Sequence, residues 1–429
     1  MAIAVDHVAG RKGLRDRVRA AHAETVIAWA ALGLVAFHVA DDSFLQREPG
    51  TSVGRHLVSG LVPLAVLAGA AAAYPRLRPG ARAAMAVVLG VLGIVSGAVE
   101  PVFYGPKERL SGDDYSGLLA LAGGAALVIL GAVTAWRTRK RDYPLVWRYG
   151  RRLLLGVAWA VGAVFVLFPL SLSYGFTHIA RTQTMHGNLG APYERVSFDS
   201  SDGLRLDGWF VRPRNGATVI VYPGKKGTQN HARMLVRHGY GALVFDRRGE
   251  GTSDGDPTAL GWGFDRDLLG ALAFLRGRDD VDSNRIGGLG LSVGGEALLE
   301  TAAETDGLRG IVSDGAGARS VREDTVDVSL RKVPEVVVSG VITAGMTVFS
   351  NRFPPPNLKT LSGRITTPVF FIYATNGAGG EDNNPEYYEA ADGPKEIWKI
   401  DTSHTHGLTD RPRVYERRVV GFFERTLRG

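Results

Sequence analysis

Ser292 stands at the centre of Gly290-Leu291-Ser292-Val293-Gly294, and its neighbours are the kind a nucleophile requires. An apolar run, Ile286–Leu291, ends at it, and a helix-like run from Glu296 to Glu304 follows at once. That order predicts a strand, a sharp turn and a helix, with the hydroxyl at the apex. Such a turn is tight and strained, so small residues are needed two positions to either side. A helix opening there aims backbone N–H groups and a partial positive charge at whatever sits on the serine. The hydroxyl itself is a weak nucleophile until a base takes its proton, and the base needs a carboxylate to fix its tautomer.

The Gly-x-Ser-x-Gly pattern also occurs at Gly50–Gly54 and Gly251–Gly255, and in a chain with 56 glycines a bare match carries little. Context separates the three. Ser52 lies in a short polar connection between apolar runs, and Ser253 in the charged loop Asp246–Gly255. Only Ser292 has a strand before it and a helix after it. The alternative for Ser292 is a merely tight strand–helix turn.

The elements that position it belong to an ordinary soluble half, preceded by an unusual one. The mean hydropathy of the whole chain is near zero, but the first 175 or so residues are strongly apolar. Residues 1–23 are polar and basic, and five long apolar runs follow near Glu24–Ala40, Leu57–Tyr74, Ala83–Val99, Tyr115–Trp136 and Leu153–Ser173. Each approaches the ~20 residues a helix needs to cross a hydrocarbon core. The sequence therefore predicts an all-α transmembrane bundle of about five helices over 24–173, rather than buried helices of a soluble bundle. Its glycines and alanines suit close packing in lipid. No charged residue sits mid-span, which argues against an ion pathway or transporter. The absence of cysteine excludes disulfides and thiolate chemistry.

Residues 174–192 read as a linker, and 193–429 as a domain of alternating strands and helices. Glu194–Asp199 and Leu204–Val211 form a hairpin pattern around Ser201-Asp202-Gly203. Thr218–Tyr222, Ala242–Asp246, Ile286–Leu291, Gly310–Asp314, Pro368–Tyr373 and Glu396–Ile400 are strand candidates, and Arg413–Leu427 is a terminal amphipathic helix. This alternation predicts an α/β fold with a mostly parallel sheet covered by helices on both faces. The segment Ala318–Ile365 interrupts it, either as a lid or as helices packed on the sheet edge.

These motifs, in this order over roughly Tyr193–Arg428, resemble the α/β-hydrolase fold superfamily, and within it esterase or dienelactone-hydrolase relatives joined to a membrane-spanning region. Gly290–Gly294 resembles the nucleophile elbow, and Asp246–Ser253 the Asp-x-Arg-Gly-x-Gly-x-Ser loop after the fourth strand. The resemblance implies a chain order of serine, acid, histidine. After Ser292 there are two histidines, His404 and His406, and Asp401-Thr-Ser-His404 resembles the family's last-strand turn better. Glu381 and Asp382 both follow the strand where the family keeps its acid, with Asp314 after the preceding strand as a third location. Each of these carboxylates could equally be an ordinary loop or capping group. An oxyanion hole is expected at the N–H groups of Val293 and Lys225, although Tyr222-Pro223-Gly224-Lys225 has proline where the family has histidine. Lys225 and Lys226 could favour an anionic acyl or leaving group, or simply solvate a loop. His404 and His406 have no third ligand in view, so neither a metal nor another cofactor is expected.

The resulting expectation is a membrane-anchored serine hydrolase acting on a small-molecule or lipid-like acyl ester. An acyltransferase on the same triad and an inactive membrane-tethered binding module remain as alternatives. The oligomeric state is not legible. The net charge of +7 does not point to nucleic acid, because the excess is topological. Fifteen Lys and Arg fall in the N-terminus and the second and fourth connections, against four in the first and third. Lys and Arg stay cytoplasmic, so five spans place the hydrolase domain on the extracytoplasmic side of the cell membrane. A reporter active only outside the cytoplasm is expected to be active when fused after Gly429 and silent when placed within Arg137–Arg152. The opposite result at Gly429 would mean an even number of spans.

Overall fold

The computed structural model describes residues 2–104, 112, 114–138, 144–181, 188–223, 228–319, 323 and 333–427. The chain forms two compact units. One comprises Met1–Arg47, Ser52–Ile179 and Ala344–Asn351, and the other Glu48–Thr51, Ala180–Thr343 and Arg352–Gly429.

The first unit is helical: α1 Ala2–Ala40, α2 Leu57–Ala73, α3 Pro79–Ala98, α4 Asp114–Arg137, α5 Leu145–Gly162 and α6 Phe168–Thr177. The basic N-terminal residues are the first turns of α1 rather than a separate element. With their flanking turns the helices give five stretches long and apolar enough to cross a membrane: Ala21–Leu45, Val53–Arg76, Pro79–Ala98, Asp114–Arg137 and Leu145–Thr177. Helices α3 and α4 touch backbone to backbone. A Cβ at Gly90 would lie 2.7 Å from Gly124 O, and one at Gly124 would lie 2.6 Å from Gly90 O. In lipid there is no hydrophobic drive between helices, so this closeness supplies van der Waals contact instead. Large apolar side chains such as Ile129 and Leu154 point outward, as a lipid-facing surface requires.

The second unit is built on one eight-stranded sheet: β1 Glu194–Asp199, β2 Arg205–Val211, β3 Thr218–Tyr222, β4 Gly241–Phe245, β5 Ile286–Leu291, β6 Ile311–Asp314, β7 Val369–Asn376 and β8 Lys395–Ser403. Their spatial order is β1-β2-β4-β3-β5-β6-β7-β8. β2 pairs antiparallel with β1 and β4, and every later pairing is parallel. The helices are α7 Gln229–Arg237, α8 Asp265–Arg276, α9 Val293–Glu304, α10 Val333–Ser350, α11 Leu358–Ser362, α12 Asn384–Ala390, α13 Gly407–Asp410 and α14 Pro412–Leu427. α10 is a sixth helix of span-like length and apolarity, and its last residues belong to the first unit.

β3 to β6 are buried along their whole length, which is why they read as continuous apolar runs rather than alternating ones. Their side chains still alternate between faces. Val219 and Val221 join a core with Leu235 of α7 and Phe423 of α14. Ile220 and Tyr222 join another with Leu268 of α8, Leu298 of α9 and Leu361 of α11. Within the Ala318–Ile365 insertion, α11 thus packs against the sheet layer.

The loop after β4 is pinned from inside. Arg248 Nε donates to Asp267 Oδ1 at 2.7 Å, and its backbone N–H to Asp267 Oδ2 at 3.0 Å. Tyr222 OH donates to the same carboxylate at 2.9 Å, and both partners of the ion pair are fully buried. Asp202, at 18% exposure, takes the other side of the guanidinium at 2.8 Å. Removing one member of a buried pair strands the other charge, at about 3–5 kcal/mol. Asp267→Ala is therefore expected to lower stability by that order in denaturant unfolding of the membrane-solubilised protein. Asp202→Ala, which leaves Asp267 on Arg248, should cost distinctly less.

Candidate active site

β5 lies between β3 and β6, and its C-terminal end passes straight through Ser292 into α9. Ser292 has φ 54° and ψ −125°, a backbone conformation that non-glycine residues rarely adopt. It persists because its surroundings over-determine it. Ser292 N–H donates to Asp314 O of β6 at 2.8 Å, and Ser292 O accepts from Gly295 N–H at 2.8 Å. A Cβ at Gly290 would fall on Gly294 O, and one at Gly294 would lie 2.7 Å from Tyr222 O. The two motif glycines are therefore required by close approach.

His404 follows β8. Its Nε2 is 2.9 Å from Ser292 Oγ and its Nδ1 2.9 Å from Glu381 Oε2. Glu381, in the loop after β7, is 2% exposed and accepts from two backbone N–H groups, Ala374 at 2.9 Å and Ala378 at 3.1 Å. Glu381 is thereby fixed in place, and its bond to the ring holds His404 above the ordinary imidazole pKa, with partial burial opposing.

The other candidates are placed elsewhere. Asp314 is buried and accepts from Tyr415 OH at 2.7 Å, and burial pushes its carboxyl up to about 7. Asp382 is exposed beside Glu381. His406 precedes α13, its carbonyl taking Thr409 N–H at 3.0 Å and Asp410 N–H at 2.9 Å. Val293 opens α9, and its N–H is among the first-turn donors that a helix leaves without an intrahelical partner. Lys225 and Lys226, with Gly224, lie outside the described residues. Ser253 is fully buried. Its hydroxyl donates to Asp246 O at 2.7 Å and accepts Asp207 N–H at 2.9 Å, stapling the loop to β2. Ser52 is exposed ahead of a short turn.

Glu296 was not singled out by sequence reading. It sits one turn along α9 from Ser292, buried, with Gly317 N–H donating to its Oε1 at 3.1 Å. Burial pushes its carboxyl up to about 7. The next residue of that loop, Ala318, donates to Gly379 O at 2.7 Å. Glu296 thus ties the serine's helix to the loop that braces the Glu381 loop. Its four-residue spacing from Ser292, on a helix, was the available signal.

Residues 174–352 match the family model for the X-Pro dipeptidyl-peptidases (S15 family). That stretch contains Ser292 and stops short of Glu381 and His404. The sheet order and the serine turn after β5 point to the same fold. The chain has the α/β-hydrolase fold. Curated proteins similar to this chain include an uncharacterized protein YfhR of Salmonella typhi, 26% identical over 257 residues, or 57% of this chain and 85% of the relative. The α/β-hydrolase domain-containing protein WAV2 of Arabidopsis thaliana is 33% identical over 165 residues, covering 35% of this chain and half of the relative. Among solved structures, an esterase of Pyrococcus furiosus aligns over 59% of this chain and all of its own, at 22% identity and a TM-score of 0.49.

The hydrogen bond from His404 to Glu381 favours the imidazolium, so the His404 pKa measured by NMR is expected above 6.5. In Glu381→Gln it should fall, whereas Asp382→Asn should leave it nearly unchanged. An unmoved value in Glu381→Gln would contradict the assigned pairing.

Proposed function

We propose that the chain is a membrane-anchored serine hydrolase that cleaves carboxylic esters of small or lipid-like acyl compounds through an acyl-enzyme on Ser292. The observation that carries this reading is the unbroken hydrogen-bonded series Ser292 Oγ, His404 and Glu381. In it, His404 Nε2 takes the hydroxyl proton as Oγ attacks the ester carbonyl. Glu381 holds Nδ1–H and stabilises the imidazolium. The negative oxygen of the tetrahedral intermediate meets the Val293 N–H and the helix N-terminus, and a second donor is expected from the Lys225 loop. Collapse of the intermediate expels the alcohol, which leaves with the proton from His404. Water, deprotonated by the same nitrogen, then releases the acid and regenerates the serine.

Two observations support the anchoring. The five apolar helices expose large hydrophobic side chains outward. In the hydrolase unit, Gly255 N–H donates to Pro49 O at 2.9 Å, so the connection between the first two spans shares a side with this domain. That fits an odd number of spans and an extracytoplasmic hydrolase. An amide substrate is the second reading, favoured by the match to a peptidase family.

In membranes carrying the full chain, Ser292→Ala is expected to abolish hydrolysis of short p-nitrophenyl esters with the protein still folded, since the turn tolerates alanine. His404→Ala should cost about as much, because triad members act as a unit. Ser253→Ala should retain activity if the stapled loop holds, and Ser52→Ala should be fully active. Turnover of an Xaa-Pro amide at a rate exceeding that of the esters would replace the ester reading with the peptidase one. Full activity in Ser292→Ala would overturn both.

A further inference from the structure

Helix α9 opens at Ser292 and carries two buried carboxyls further along the same face, Glu296 and Glu300. Both reach the same neighbour, the loop Gly315–Arg319 that follows β6. Glu300 pairs with the Arg319 guanidinium, and Glu296 Oε1 accepts Gly317 N–H at 3.1 Å. On its other side the loop lies against the segment that carries Glu381. Ala318 N–H donates to Gly379 O at 2.7 Å, and a Cβ at Gly317 would fall on the same oxygen. The Asn384 amide donates both to Ala316 O at 2.7 Å and to Glu381 O at 2.8 Å. A Cβ at Gly315 would lie 3.1 Å from His404 Cε1 and 3.2 Å from Glu381 Oε1. The loop is therefore a spacer between the serine's helix and the two residues that must face the serine.

Bracing alone does not call for a carboxyl. An amide at position 296 would accept the Gly317 N–H as well and would leave no charge to bury. The Glu296 side chain is 6% exposed, and burial pushes its carboxyl up to about 7, a costly placing for a residue that only braces. The charged and titratable groups around it are Arg319, Glu323, Tyr387 of α12 and His404. Arg319 is engaged by Glu300. Glu323 accepts from the backbone N–H groups of Arg319 and Leu358, and Tyr387 OH donates to Gly317 O at 3.2 Å. Of these groups, His404 is the one that gains a charge when the serine is deprotonated, and the Glu296 charge helps to raise it. A fixed charge is most effective where charge develops in the transition state.

We propose that Glu296 is a positioning residue for His404: through the Gly315–Arg319 loop it fixes where Glu381 meets the ring, and its carboxylate adds to the field that stabilises the imidazolium. This rests on the Ser292–His404–Glu381 reading, and the test separates the two. The full-length protein is treated with a fluorophosphonate, the rate of capture at Ser292 is followed across the His404 titration, and the His404 pKa is read by NMR. Glu296→Gln keeps an acceptor for Gly317 N–H and loses the charge. The acid limb of capture and the His404 pKa are both expected to move to lower pH, because an anion that favoured the imidazolium is gone. Glu296→Leu loses the acceptor as well. Its capture at the plateau is expected to fall on the order of 10²-fold, the cost of roughly 1 Å of misplacement, with glutamine recovering most of the loss. An acid limb and a ring pKa that both stay in place in Glu296→Gln would overturn the inference, whether or not the leucine variant folds. Wild-type capture in a folded Glu296→Leu would overturn it too. A wild-type protein that is not captured at Ser292 would instead remove the triad reading, and this inference with it.

Discussion

The left-handed backbone at Ser292 is the constraint on which the site depends. Holding a serine at φ 54° costs on the order of 1–3 kcal/mol, and the fold offsets that locally. β5 is paired on both sides along its length, the serine's N–H is taken by β6, and α9 is buried behind it. The motif glycines let the strand and the first helical turn close onto each other, and onto β3, without a Cβ in the way. The hydroxyl is consequently presented at the open end of a rigid element rather than on a loop.

Around that hydroxyl the sheet gathers one imidazole and three buried carboxyls, Glu381, Asp314 and Glu296. What distinguishes them is the donor set each receives. Glu381 takes two backbone N–H groups and the ring nitrogen of His404, which fix its orientation toward the imidazole. Asp314 is matched by Tyr415 OH, and Glu296 by Gly317 N–H. Burial dominates for these two and pushes both carboxyls up to about 7. Both still lie close enough for their charge to add to the raising of His404. A base held above its usual range and a hydroxyl in reach of it are what proton transfer from serine requires.

Much of this arrangement was legible because it is local. The apolar run, the Gly-x-Ser-x-Gly turn and the helix after it are consecutive, and β3 and β5 fall where the run lengths placed them. What the sequence left open were matters decided at long range. Glu381, Asp382 and Asp314 are equivalent as residue types. The choice turns on Tyr415, 101 residues from Asp314, occupying that carboxylate, and on the ring of His404 reaching Glu381. The role of Glu296 likewise depends on the loop Gly315–Arg319 folding back over α9. Ser253 matched the same five-residue pattern as Ser292, and only its burial between β2 and the Asp246 loop separates a staple from a nucleophile candidate.

The central claim is that the proton-transfer series built on Ser292 is chemically competent. Its most direct measurement is the site of covalent capture. Membranes carrying the full chain are treated with a fluorophosphonate, and the adduct is mapped by peptide mass spectrometry. The account predicts a single adduct on the peptide bearing Ser292, lost when His404 is replaced by alanine. An adduct on Ser52 or Ser253, or undiminished capture at Ser292 without His404, would contradict it.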